Sequence, residues 1–171
     1  MSGALDPTAR REITIEGPVY VAAREFKAFL FPLVGTVTAD LPAPPGAVQR
    51  DAAGRAALLH FAPGRFLAPA PAPELVRHLE ALESAGAGAL FDTTGKWRAI
   101  RLGGAFAERT LAESIDVAAV LAHRECAAVH LFDCPVVLTR SGGGFELWVE
   151  GSYATDLKGS MDRVRSRGIA R

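Results

Sequence analysis

Cys126 and Cys134 lie close along the chain to His123 and His130. A thiol becomes a nucleophile when a neighbouring base lowers its pKa, and imidazole is a common choice. The order His, Cys, His, Cys at these positions matches no zinc motif of paired ligands. Cys134 sits in an apolar run and reads as a small core residue, the usual role of a buried free cysteine.

Asp92, Asp116, Asp133 and Asp156 are candidate bases. Asp92 opens Asp-Thr-Thr-Gly, where an aspartate normally bonds its own turn. The glycine-rich points, Gly35, Gly103-Gly104 and Gly142-Gly143-Gly144, form neither a dinucleotide fingerprint nor a phosphate loop. Gly142–Gly144 reads as a turn, where glycine reaches positive φ without steric cost. Trp148 falls on the polar side of its strand, a candidate contact with another subunit; the other reading is a tryptophan covered by a neighbouring helix. Trp97 alternates with Ala99 and Arg101. Lys158, Arg163, Arg165, Arg167 and Arg171 make the C-terminus basic against Asp162, but no interleaved aromatics offer bases a stacking surface. The residues alone therefore assign no catalytic, cofactor-binding or metal-binding side chain to this chain.

At 171 residues the chain suits one domain, and 49% hydrophobic with 22% charged residues is ordinary for a globular protein. Nineteen basic side chains balance nineteen acidic ones, so bulk charge favours neither nucleic acid nor an anionic membrane. Two cysteines are too few for a disulfide framework. Met1–Arg11 does not read as a signal segment, and the apolar run Phe26–Val37 is interrupted by Lys27 and Pro32. A cytoplasmic protein that spans no membrane is the expectation.

The elements that must position these side chains follow from periodicity. Residues 1–11 read as a flexible N-terminus, 12–165 as one domain and 166–171 as a basic tail. Glu12–Glu16 alternates as a strand. Phe26, Phe29, Leu30 and Leu33 recur at helical spacing, predicting a helix over Arg24–Val34 that weakens at Pro32 and stops at Gly35. Thr36–Leu41 reads as extended and Pro42–Gly46 as a loop. Ala56–Leu67 reads as two strands around Ala62-Pro63-Gly64. Pro73, Glu74 and the stripe Leu75, Val76, Leu79, Leu82 predict a helix that ends at Gly86 or Gly88. Trp97–Leu102 alternates as a strand, and Gly103-Gly104 leads into a short helix containing Phe106 and Leu111. Ile115–His123 fits either a helix or a looser segment. Ala127–Arg140 is strand-like, with Pro135 demanding an edge, a bulge or a break. Ser141–Gly144 closes a hairpin onto Phe145–Glu150, and Ser152 is a plausible N-cap for a short terminal helix. Irregularly ordered strands and helices imply an α+β fold rather than a doubly wound sheet.

Three blocks carry a resemblance beyond these patterns. They are Leu58-Leu-His-Phe-Ala-Pro-Gly-Arg-Phe-Leu67, Phe91-Asp-Thr-Thr-Gly-Lys-Trp-Arg-Ala-Ile-Arg-Leu-Gly-Gly104 and Glu150-Gly-Ser-Tyr-Ala154. With Phe26–Leu33, Gly35, Leu41-Pro42 and Ile115-Asp116-Val117, they resemble, in order, the small gamma subunit family of heterotetrameric sarcosine oxidase. Gly151 replaces the arginine of that family's Arg-Ser-aromatic-Ala element, and Phe66 stands for a tryptophan. The resemblance implies a single-domain aminomethyltransferase (folate-binding)-like fold with antiparallel or mixed sheets and a few short helices. It implies a non-catalytic subunit that docks onto larger alpha- and beta-type flavoprotein subunits. FAD, FMN, NAD and tetrahydrofolate would reside in those partners and none in this chain alone. The assembly would demethylate sarcosine or a related N-methyl amino acid. The alternative is a stand-alone small folate-binding or one-carbon-transfer protein that uses an acid such as Asp92 or Asp116.

Overall fold

The computed structural model describes residues 13–15, 28–32, 41, 44–104 and 107–169; for the first two stretches and for 168–169 it describes the backbone only. Two five-stranded sheets organise them. One has the order β1 (Ile13–Ile15), β7 (Trp97–Leu102), β10 (Gly144–Glu150), β9 (Cys134–Ser141) and β8 (Cys126–Leu131). The other has the order β3 (Val48–Arg50), β4 (Ala56–Ala62), β5 (Arg65–Pro69), β2 (Ala28–Pro32) and β6 (Phe91–Asp92). The helices are α1 (Pro73–Ser84), α2 (Ala107–Ala112), α3 (Val117–Val120) and α4 (Gly151–Ile169). All the described strand pairs run antiparallel, and those of consecutive strands, β3–β4, β4–β5, β8–β9 and β9–β10, are hairpins.

The two-residue period of the strands sorts their side chains into layers. From the first sheet, Ile100, Leu138, Leu147 and Val149 face the helices and meet Leu111, Val117, Leu157 and Met161. From its other face, Trp97, Ala99, Cys126, Val137 and Trp148 meet Ala56, Leu59 and Leu67 of the second sheet. On the far side of that second sheet, Leu58, Phe66 and Ala68 pack under Leu79 of α1, flanked by Leu75, Val76 and Leu82. The result is a helix–sheet–sheet–helix stack. Each fully buried leucine or phenylalanine contributes about 1.5–3 kcal/mol by leaving water.

Helix α1 forms as its sequence predicts. Pro73 occupies the first turn, where its missing N–H costs nothing, and Glu74 faces the positive end of the helix dipole. The helix closes in a Schellman motif: the Ala87 N–H donates to the Leu82 carbonyl at 2.9 Å and the Gly86 N–H to Glu83 at 2.8 Å, with Gly86 at φ +74°.

Four expectations change. The helix expected over Arg24–Val34 is, where described, the strand β2, paired on both sides with β5 and β6. An apolar run of Ala-Phe-Leu-Phe suits a strand buried on both faces as well as a helix, and the sheet decides. Ala127–Arg140 is a hairpin rather than one strand. It breaks at Phe132-Asp133, whose φ values of 49° and 66° make the turn that two-residue hairpins favour. Pro135 then falls opposite His130, in a pair outside the hydrogen-bonded alternation set by the turn, and its imide nitrogen faces the side where β10 pairing has already ended at Val149↔Val136. Helix α4 starts at Gly151, whose N–H donates to the Lys96 carbonyl at 2.7 Å, so Ser152 is inside the helix and not its cap. That helix is 19 residues long rather than short, and it passes the boundary expected at 166. Finally, the polar side of β10 is not solvated: Trp148, 4% exposed, packs against Leu59 and Leu67 of the second sheet, and Glu146 is 7% exposed. Of the remaining sequence readings, those on residues 1–11, Thr36–Asp40, Gly35, Phe106 and Arg171 lie outside the described residues.

Candidate functional site

Three turns converge around a cleft of about 570 Å³. Gly54 comes from the β3–β4 turn, Ser141–Gly144 from the β9–β10 turn, and Gly104 from the step into α2. Gly142 and Gly143, at φ +52° and +84°, let the hairpin turn in two residues and leave its tip open on the cleft. Gly144 is held close to β7: a β-carbon there would strike the Leu102 carbonyl.

Three charged side chains line this cleft. Arg50 is anchored by hydrogen bonds to the Gly54 carbonyl (3.3 Å), the Arg140 carbonyl (3.2 Å) and Glu125 Oε1 (3.3 Å), so its charge is matched by Glu125. Arg140, directly across the ladder from Phe145, carries its guanidinium 5.4 Å over the Phe145 ring. Glu108 projects from the first turn of α2 and is exposed. Among the described residues neither Arg140 nor Glu108 makes an ion pair. Sequence reasoning singled out none of these three. The adjoining Ser-Gly-Gly-Gly turn was the visible signal, since it places Arg140 and Phe145 at a hairpin mouth.

The residues that looked chemical are dispersed. Cys126 and Cys134 lie on opposite faces of the first sheet, in different apolar layers. Cys126 is fully buried, and burial first, then the charge of Glu125, pushes its thiol up to about 12, against weaker pulls from Arg50 and Arg124. Its Sγ donates to the Ala47 carbonyl at 3.5 Å. Burial likewise raises Cys134, with smaller contributions from Asp156 and Asp133. A thiol held protonated is a poor nucleophile. His123 and His130 are exposed, and His130 is four strand residues, roughly 13 Å, from Cys126.

The acids serve local structure. Asp92 accepts the Thr94 N–H at 2.9 Å, the turn bond its sequence suggests. Asp116 caps α3 by accepting the Ala119 N–H at 3.0 Å. Asp133 occupies the β8–β9 turn, and Asp156 is exposed on α4. On that helix Lys158 and Arg165 pair with Asp162, at 2.7 and 3.5 Å. Trp97 donates to Thr93 Oγ1 at 3.2 Å, and Trp148 packs between the sheets. Among the described residues no three His, Cys, Asp or Glu side chains gather as a metal would require, and no helix is long and apolar enough to cross a membrane.

The chain is thus a small α+β domain of two antiparallel sheets and four described helices, with one open polar cleft described and with Asp92, Asp116 and Asp133 used in turns and a cap. Its fold is shared with a chain of a solved assembly, the heterotetrameric sarcosine oxidase from Corynebacterium sp. U-96 in complex with pyrrole 2-carboxylate. The two agree with a TM-score of 0.68 at 21% identity, over 85% of this chain and 82% of that one. No protein-family model matches the sequence, and no curated protein matches it.

Proposed function

We propose that this chain is a non-catalytic, gamma-type subunit of a multi-subunit flavin- and folate-linked oxidase or dehydrogenase, one that demethylates sarcosine or a related N-methyl amino acid. The observation that carries the reading is the fold shared, over most of both chains, with a chain of a heterotetrameric sarcosine oxidase. The specific fold assigned on that basis is aminomethyltransferase-like. The dispersal of the cysteines, histidines and acids supports a role in assembly over one in bond-making. FAD, FMN, NAD and tetrahydrofolate are assigned to larger alpha- and beta-type subunits, and the assembly to the cytoplasm.

Phe91 and Tyr153, at 54% and 40% exposure, are the large hydrophobic side chains left open among the described residues, and aromatics of this kind anchor subunit interfaces. Co-expression with candidate flavoprotein chains, followed by size-exclusion chromatography, tests the reading. Co-elution in a defined ratio is the expected result. A chain that stays monomeric beside every such partner removes it. Titration with a reduced folate separates the stand-alone alternative, which requires binding by this chain unaided.

A further inference from the structure

The cleft at the β9–β10 turn holds one unmatched positive charge and one unmatched negative charge that do not meet. Arg50 is neutralised by Glu125 at 3.3 Å, which leaves Arg140 and Glu108 as the charges facing the open volume. Arg140 and Glu108 make no ion pair with each other, and the Arg140 guanidinium stands 5.4 Å over the Phe145 ring. A simple anion entering here would meet repulsion from Glu108, and a simple cation repulsion from Arg140. A small ligand carrying both charges satisfies both walls.

We propose that this cleft binds a zwitterionic amino acid, with its carboxylate on Arg140 and its ammonium group on Glu108. The planar fork of arginine suits a carboxylate, which it can take with two parallel hydrogen bonds. Gly142 and Gly143 strengthen that end: their N–H groups make no backbone hydrogen bond among the described residues, and the space beside each α-carbon is empty. A volume of about 570 Å³ accommodates a small amino acid with its solvent. The contacts lie in an open cleft, so affinity is modest, and selectivity for the doubly charged form is the signature that matters.

The site is tested on the chain by itself, so its result is independent of whether the subunit reading holds. Glycine, acetate and methylammonium are titrated separately into ¹⁵N-labelled protein while the amide signals of Gly142, Gly143 and Arg140 are followed. Glycine gives saturable shifts, and acetate and methylammonium, each lacking one charge, bind about fivefold or more weakly. Glu108→Gln brings glycine down to the level of acetate and leaves acetate no weaker than before. Arg140→Met removes saturable shifts for glycine and acetate. Both side chains are exposed, and unchanged signals from the core show that the variants remain folded. Shifts that never saturate, acetate binding as tightly as glycine, or glycine binding unaltered in Arg140→Met would each overturn the proposal.

Discussion

The aliphatic stem of Arg124 passes over Gly46 so closely that a β-carbon on Gly46 would lie 2.7 Å from Arg124 Cγ. Gly46 is also where the two sheets are tied together. Its N–H donates to the His60 carbonyl of β4 at 2.6 Å, and its carbonyl accepts the N–H groups of Glu125 and Cys126, at 2.8 and 3.0 Å, where β8 begins. Its φ of +102° is open to glycine and costly for other residues.

Gly46→Ala is therefore expected to destabilise the protein by about 2–4 kcal/mol, combining backbone strain with the clash. The steric share can be isolated. In an Arg124→Gly background, which removes both the Cγ and the Cβ that the new methyl group would meet, the same substitution should cost at least about 0.5 kcal/mol less, measured by urea denaturation in a double-mutant cycle. Equal costs in both backgrounds would assign the whole effect to φ.

The β9–β10 turn separates two roles of glycine. Gly144→Ala drives a methyl group into the Leu102 carbonyl and must push β10 from β7, so a loss of about 2 kcal/mol or more is expected. Gly142 faces open space and stands where an Asn-Gly turn would place asparagine. Gly142→Asn should be neutral or stabilising, because asparagine tolerates positive φ and restricts the unfolded chain. Thermal melts of the two variants should move apart, the first well below the parent protein.

Trp148 tests the burial of the face that its strand presents to the second sheet. Its ring packs with Leu59, Leu67 and Val137, and its indole N–H finds no acceptor among the described residues. Trp148→Ala should cost about 3–5 kcal/mol. Trp148→Phe keeps most of the apolar volume and discards an unsatisfied donor, so it should cost less than about 1.5 kcal/mol. A surface tryptophan would give near-zero effects in both variants.

Local chemistry was legible in the sequence wherever one element decided its own fate. Pro73 and Gly86 bracketed α1, Asp92 announced its turn, and Ser141–Gly144 announced its hairpin. What could not be read was whatever a second element decides. Phe26, Phe29, Leu30 and Leu33 have helical spacing in isolation, and the described part of that stretch, Ala28–Pro32, is a strand flanked by β5 and β6. Glu146 and Trp148 look solvent-facing by alternation, yet both are buried, Trp148 under a sheet from earlier in the chain. The cleft was hidden for the same reason: Arg50, Glu108 and Arg140 are ordinary surface residues until three separate turns bring them to one cleft.

Asp51 shapes the β3–β4 turn. Its carboxylate accepts the N–H groups of Ala53 and Arg55 at 2.9 Å and Arg55 Nε at 2.8 Å. The backbone bond from Arg55 is the largest cause holding its pKa below the ordinary 3.8, followed by the side-chain bond from the same residue. A depressed carboxyl contributes stability that is fully present above its unfolded value and is lost as pH falls through the folded one. Asp51→Asn should therefore be less stable than the parent at pH 7. The gap should close once acid has protonated Asp51 in both states, as read from denaturation midpoints across the acid range.

Cys126 gives the complementary alkaline test. Its thiol is pushed from the ordinary 9.0 up to about 12. An acid whose folded pKa is raised keeps its proton while the unfolded chain has already ionised. Its contribution is thus complete below about 9 and is lost progressively as pH climbs toward 12. Alkylation with iodoacetamide at pH 8 should leave Cys126 unmodified in the native protein and modify it once denatured, as peptide mass mapping would show. Cys126→Ala should remove part of the alkaline decline in stability at the cost of a small cavity beside Trp148. Rapid labelling of Cys126 under native conditions would mean that the space between the sheets opens on the timescale of the reaction, and that the seam fastened by Gly46 is looser than its three backbone hydrogen bonds require.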